Sequence, residues 1–284
     1  MLTATQVRQS HRRRRSPYSD KQHYQEYVLQ RIEGYKNSIG RDELLRLGDE
    51  AASELQATAE GQFVLTEVLM LESVDRLIMK RLSLRPYRRW RQQFLRLRAA
   101  QRTPTHWGLE PQCPLSPVLP RIEPEDSALV VGSAAAATTF LLAAHEAEVI
   151  FLADDLGSVE RVESRMATEA LSSLFDSYVT QFDPIPEFLR FLQDFDIIVL
   201  DPGVLLELSS TARLDLILDL QQRSRPGGVH IILPTCPALA PESLRSLYGG
   251  WTREEEPKRK RKGTYAKSPP GMILSKPLCP EDTP

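Results

Sequence analysis

The chain has 284 residues, 41% hydrophobic and 26% charged, an ordinary globular balance that excludes collagen-like, low-complexity and wholly disordered classes. No stretch approaches the ~18 apolar residues of a membrane span, so none is expected. The net charge of −2 conceals an asymmetry: residues 1–102 hold 20 Lys/Arg against 12 Asp/Glu, and residues 103–252 hold 8 against 21. Such a split predicts separate roles for a basic and an acidic half. Cys113, Cys236 and Cys279 are far apart and lack a CxxC spacing. They predict neither a disulfide framework nor a zinc site, and a reducing, cytoplasmic setting is expected.

Residues 1–18 read as a basic arm, with Arg12–Arg15 unaccompanied by the apolar run of a secretory signal. A helical domain is expected over residues 19–102. Ser19 and Gln22 have the spacing of a capping box. Behind them Tyr24, Tyr27, Val28, Ile32 and Tyr35 recur at helical spacing. A second helix is expected from Asp42 to about Gln56, with Leu44, Leu45, Leu47, Ala51 and Leu55 inward. A third, the most apolar, is expected from about Gln62 to Leu82. Pro86 suits the first position of a fourth, which reaches about Gln101. Four helices with short breaks suggest a small bundle.

Six prolines between Pro104 and Pro124 predict an extended linker over residues 103–126. From Ser127 to Pro277 short apolar runs alternate with helical stretches, the pattern of an α/β domain with a parallel sheet covered on both faces. Strands are expected at Ala128–Val131, Glu148–Leu152, Tyr178–Phe182, Phe195–Leu200 and Val229–Leu233. Helices are expected at Ala134–His145, Ser158–Phe175, Glu187–Gln193, Thr211–Arg223 and Glu242–Tyr248. Two last strands, about Thr252–Glu256 and Gly271–Ser275, flank the Lys258–Lys262 run, read as a hairpin tip. Residues 278–284 read as a tail.

An open parallel sheet binds ligands at the C-terminal ends of its strands. Those ends hold Gly132-Ser133-Ala134 after strand one, Asp154-Asp155 after strand two, Phe182-Asp183 closing strand three and Asp201-Pro202-Gly203 after strand four. Arg225-Pro226-Gly227-Gly228 forms a turn before strand five. In this order the features resemble the class I S-adenosylmethionine-dependent methyltransferases over residues 127–277. The resemblance implies a Rossmann-like methyltransferase sheet behind an all-helical N-terminal domain, with S-adenosylmethionine as cofactor and an unspecified methyl acceptor. It also implies cofactor contacts from Gly132, Ser133, Ala134, Asp154, Asp155, Asp183 and Asp201. Within that set Asp154 would hold the ribose and Asp183 the adenine amine.

The family pattern is an acid, one residue, then Gly-x-Gly-x-Gly. Here Val130 takes the acid's place, and Ala134 and Ala136 replace the second and third glycines. Asp201-Pro202-Gly203 is a partial match to the Asp-Pro-Pro-aromatic motif of methyltransferases that act on base amines. The departures motivate an alternative, a catalytically inactive methyltransferase-like scaffold that holds a partner through its basic helical region. Lys80–Arg102 carries nine basic residues among Tyr87, Trp90 and Phe94. With Lys258–Lys262 it is a candidate surface for nucleic acid or an acidic protein. Trp90, Phe94 and Leu97 share one helical face, expected to be core. His106 reads as a packed hinge, and His145 and His230 as structural.

Overall fold

The computed structural model describes residues 19–58, 67–169, 171, 174–183, 194–234, 241–254 and 271–278. The expected helix at Glu187–Gln193, the Arg12–Arg15 and Lys258–Lys262 runs, Cys236 and Cys279 lie outside them. The chain divides into two compact units at Leu97/Arg98. No helix among the described residues is long and apolar enough to cross a membrane.

The first unit is helical: α1 (Asp20–Ser38), α2 (Arg41–Thr58), α3 (Glu67–Arg81) and the greater part of α4 (Tyr87–Gln101). The capping box forms as expected: the Gln22 amide donates to Ser19 Oγ at 3.3 Å, and the Ser19 amide to Gln22 Oε1 at 2.6 Å. Two of the four amides that a helix start leaves unpaired are thereby used. Ile32, Leu47, Ala51, Val74, Leu77 and Ile78 make the core. Leu44 and Leu45, expected inward, are exposed. Leu45 stands roughly 120–160° around the helix from the Leu47/Ala51 stripe, and Leu44 belongs to the uncovered first turn. Burial on α3 is confined to its second half, and Val68, Leu69 and Leu71 are exposed.

On α4 the expected apolar face is an aromatic one. Trp90 and Phe94 stack with centroids 4.7 Å apart, Tyr24 of α1 lies 5.3 Å from Trp90, and His23 lies 5.4 Å from Phe94. Tyr24 donates its hydroxyl to the Arg85 carbonyl, and Arg91 pairs with Asp20 at 2.6 Å. Leu97, placed on that face by its spacing, is exposed.

The second unit is a seven-stranded α/β sheet. Its strands are β1 (Ser127–Val131), β2 (Glu148–Ala153), β3 (Phe175–Val179), β4 (Phe195–Leu200), β5 (Ser224–Ile232), β6 (Thr252–Arg253) and β7 (Met272–Ser275). Their spatial order is β3-β2-β1-β4-β5-β7-β6. The first five are parallel, and β7 runs antiparallel to β5 and β6. Period-two alternation builds two cores at once. From β1, Ala128 and Val130 enter one core with α5 (Ala136–Ala144) and α6 (Leu156–Thr168). Leu129 and Val131 enter the other with α8 (Ser210–Gln222) and Leu244 of α9 (Pro241–Ser246). A strand buried on both faces reads as an unbroken apolar run, which is why β1 and β4 were legible.

Three expectations are corrected here. The third strand is Phe175–Val179, not Tyr178–Phe182, and the preceding helix ends at Thr168 rather than Phe175. Leu171, Leu174 and Phe175 continue a helical spacing past the helix end, and β3 is a largely exposed edge strand with no clean alternation. Arg225–Gly228 lies within β5, in an irregularity where Phe195 pairs with Ser224 and Ile197 with Val229. Gly227 there has φ +76°, a conformation that favours glycine.

Residues 103–126 are not an extended linker. They turn through short 3₁₀ helices at Pro104–Trp107 and Leu119–Arg121. Trp107, Cys113, Leu115, Val118 and Leu119 are buried in the core of the α/β unit. Trp107 stacks on Phe140 at 5.1 Å and donates its indole N–H to the Gln101 carbonyl at 2.6 Å. Arg121 grips Glu254 through two bonds of 3.0 and 2.7 Å, anchoring the segment beside β6. The α/β unit therefore begins at Arg98 rather than Ser127. His106 lies edge-on to Trp107 at 4.6 Å, a packed position as expected.

Candidate functional site

The C-terminal ends of β1, β2 and β4 converge as the sheet order requires. After β1 the backbone turns at Gly132 with φ +101° and ψ 146°, a region essentially closed to residues with a Cβ. A methyl there would lie 2.5 Å from Asp201 Cβ and 2.8 Å from Val204 Cγ2. The Gly132 amide donates to the Leu152 carbonyl at 2.8 Å, fixing the turn against the end of β2. Ser133–Ala135 then form a 3₁₀ turn that leads into α5. Ala134 is exposed and Ala136 half-buried, so the methyl replacing the family's second glycine stands in solvent.

Asp201, the residue after β4, is 6% exposed. Its Oδ2 accepts the Ala134 amide at 3.1 Å and its Oδ1 accepts the Gly203 amide at 2.8 Å. A buried carboxylate is tolerated only when its oxygens are hydrogen-bonded. Both are, so Asp201 couples the turn after β1 to the loop after β4. That loop enters the short helix α7 (Gly203–Leu206). The turn thus has a carboxylate support even though Val130, in the family's acidic position, is wholly buried in the apolar core. The support comes from another strand, with no signal in the β1 segment.

Asp154 and Asp155 follow β2 directly and differ in their attachments. Asp155 caps α6, accepting the Ser158 amide at 2.7 Å on Oδ1 and the Ser133 hydroxyl at 2.7 Å on Oδ2. The Ser158 side chain foremost, then the Ser133 hydroxyl and the Ser158 amide, hold its carboxyl below the usual carboxylate range. Asp154 is exposed and touches the turn through a longer bond from Ser133 Oγ, 3.3 Å to Oδ1. Asp183 is exposed, four residues beyond the end of β3, next to Phe182, which is buried in the second core. Ser133, Ala134, Asp154, Asp155 and Asp201 are thus joined in one hydrogen-bonded constellation around Gly132, while Asp183 makes no hydrogen bond to it among the described residues.

Ser224, His230 and Tyr248 form a buried polar chain that the sequence did not disclose as one. Tyr248 Oη lies 3.1 Å from His230 Nδ1, and His230 Nε2 lies 2.5 Å from Ser224 Oγ. Ser224 Oγ in turn donates to the Leu220 carbonyl at 3.3 Å. Because Ser224 donates to Leu220, Nε2–H donates to Ser224; with burial disfavouring the charged ring, Nδ1 then accepts from Tyr248. Burial first, then the nearby Lys276 ammonium, pushes His230 down to about 3. Burial also raises the Tyr248 phenol. Every member is satisfied internally and no carboxylate completes a triad, so the chain is structural, as expected for His230. His145 ends α5 with Nε2 3.2 Å from the Arg102 carbonyl, also a structural position.

No protein-family model and no curated protein sequence matches the chain. Among solved structures it is similar to TehB from Haemophilus influenzae, at 15% identity and a TM-score of 0.44, over 57% of this chain and 61% of that one. The chain thus spans less than two thirds of TehB. It is also similar to the N-methyltransferase NodS from Bradyrhizobium japonicum WM9, at 17% identity and a TM-score of 0.43, over 54% of this chain and 87% of that one. A third similarity is to precorrin-6y C5,15-methyltransferase from Geobacter metallireducens GS-15, at 15% identity and a TM-score of 0.41, over 56% and 84%. At these identities and scores the fold rests on the chain's own strand order and register. Five parallel strands in the order 3-2-1-4-5, closed by an antiparallel β7 and a final β6, make a Rossmann-like, doubly wound sheet.

Proposed function

We propose that this chain is an S-adenosylmethionine-dependent methyltransferase whose cofactor site is the Gly132 turn and the strand ends beside it. The observation that carries the reading is the exposed Asp154 carboxylate, directly after β2 and one hydrogen bond from the Gly132-Ser133 turn. The residues fit the group: Asp154 would hold the ribose hydroxyls, Asp183 the adenine amine, and the Gly132–Ala134 turn the amino-acid end. Asp155 and Asp201 serve behind them, one capping α6 and the other bracing the turn, since their oxygens are engaged within the protein. When bound, S-adenosylmethionine supplies an electrophilic methyl group. What the protein contributes to such a displacement is alignment and exclusion of water rather than a fixed base. NodS has been solved with S-adenosyl-L-homocysteine, and that ligand is the natural probe here.

Calorimetric titration of the full chain with S-adenosylmethionine and S-adenosylhomocysteine tests the reading. Micromolar binding that weakens at least tenfold in Asp154→Ala is expected. Absence of binding at millimolar ligand by the folded wild type overturns it and leaves the inactive-scaffold alternative.

A further inference from the structure

The helical unit has a strongly charged face that the proposed chemistry does not use. Helix α4 contains five arginines and no carboxylate. At ~100° per residue, Arg88, Arg89, Gln92 and Arg96 fall on one side of it. Tyr87, Trp90 and Phe94 fall on the other, and all three take part in the aromatic cluster with α1. The stripe extends over about 12 Å of helix. Arg88, Arg89 and Arg96 are exposed and have no ion pair among the described residues. Four other cations of the unit are paired: Lys36 with Asp75, Lys80 with Glu54, Arg81 with Glu43 and Glu50, and Arg91 with Asp20.

We propose that the Arg88/Arg89/Arg96 face of α4 binds the phosphate backbone of double-stranded nucleic acid. The composition of the face selects this partner. A stable protein interface has an apolar, often aromatic centre, and stable membrane attachment adds an apolar face to the roughly 1 kcal/mol that each surface cation gains. The stripe offers neither: the aromatics of α4 lie half-buried against α1 on its other side, and exposed Leu95 borders the arginines. Single strands are held by stacking bases on exposed aromatics, and the arginine stripe itself carries none. A duplex hides its bases and presents phosphates, the groups that planar guanidinium forks bind in bidentate fashion. Recognition on this face is therefore independent of sequence, and the contribution of the three arginines is electrostatic.

The test is fluorescence anisotropy of the full chain with labelled 20-base-pair RNA and DNA duplexes of mixed sequence, between 50 and 200 mM salt. The comparison is the Arg88→Gln/Arg89→Gln/Arg96→Gln variant, with circular dichroism and the thermal midpoint as controls for folding. Three phosphate contacts give log K against log salt a slope of about −2.7. The variant is expected to have a slope shallower by about that amount, losing roughly 40-fold less affinity across the range. Arg96→Gln alone is expected to reduce the slope by about 1. Since phosphates are common to both duplexes, the change in slope is expected with each. The proposal is overturned if the wild type fails to bind either duplex at 50 mM salt or if the folded variant keeps the wild-type slope. It is equally overturned if the substitutions abolish binding to phosphatidylserine vesicles or polyglutamate but leave duplex binding intact.

Discussion

The carboxylate of Asp201 accepts the amide of Ala134 at 3.1 Å across 67 positions of sequence, and the same carboxylate stands directly beneath Gly132. The tightness of that arrangement makes Gly132 the least replaceable residue of the turn. Gly132→Ala must both adopt a backbone region essentially restricted to glycine and place a methyl 2.5 Å from Asp201 Cβ. Backbone strain and overpacking together predict a loss of about 2–4 kcal/mol in unfolding free energy. Urea denaturation measures it, and a loss under about 0.5 kcal/mol, the range of ordinary surface changes, contradicts the geometry.

The two aspartates after β2 are expected to separate function from stability. Asp155→Ala removes a helix N-cap and the partner of Ser133, so it should cost about 1 kcal/mol of stability. Asp154→Ala alters an exposed residue and should leave stability within about 0.5 kcal/mol. Their effects on cofactor binding are expected in the reverse order, with Asp154→Ala the more damaging. Denaturation and calorimetry on the two variants decide this, and equal effects of both substitutions on both readouts would remove the assigned division of labour.

How far the sequence disclosed these relationships depended on the range of the interaction. Phe195–Leu200 was legible to the residue, because a strand covered on both faces needs an unbroken apolar run. So were the capping box at Ser19 and the Gly132 turn, whose signals lie within four residues. Edge strand β3 was displaced by three residues, since Phe175-Asp176-Ser177-Tyr178-Val179 is only partly covered and follows leucines at helical spacing. Segment 103–126 was misread because proline fixes φ without choosing between an extended chain and the start of a 3₁₀ turn. Pro104 and Pro120 open such turns. The bracing role of Asp201 and the Ser224–His230–Tyr248 chain were illegible, because each is completed only by residues that folding brings together.

The inward-packed segment yields a direct check on where the α/β unit begins. Leu115 has no exposed surface and lies in the same core as Val130 and Phe140. Leu115→Ala is expected to destabilise by about 2–5 kcal/mol, the range for a core leucine. A solvated linker residue would cost a few tenths. Equilibrium unfolding of the full chain, followed by tryptophan fluorescence and by circular dichroism, distinguishes the two; an effect below about 0.5 kcal/mol contradicts the packing.

The Ser224–His230–Tyr248 chain predicts a pH dependence of stability. In the folded protein His230 is held neutral, pushed down to about 3 from an ordinary 6.5. Between those values the unfolded chain binds a proton that the folded chain refuses. Stability from this group is therefore complete above pH 6.5 and falls as pH drops toward 3, at up to about 1.4 kcal/mol per unit. By pH 5, before most carboxylates begin to protonate, the loss should reach about 2 kcal/mol relative to pH 7.5. The Lys276 ammonium donates to the Gln221 and Ser224 carbonyls at 2.9 and 2.6 Å and opposes a second positive charge beside the ring. His230→Gln has nothing to titrate in this window, so whatever it costs at pH 7.5, its stability should change less between pH 7.5 and 5. Urea denaturation of wild type and variant at both pH values gives the difference. Parallel pH dependences would show that the imidazole is protonated in the folded state at pH 5, with Nδ1–H donating to Tyr248 rather than accepting from it.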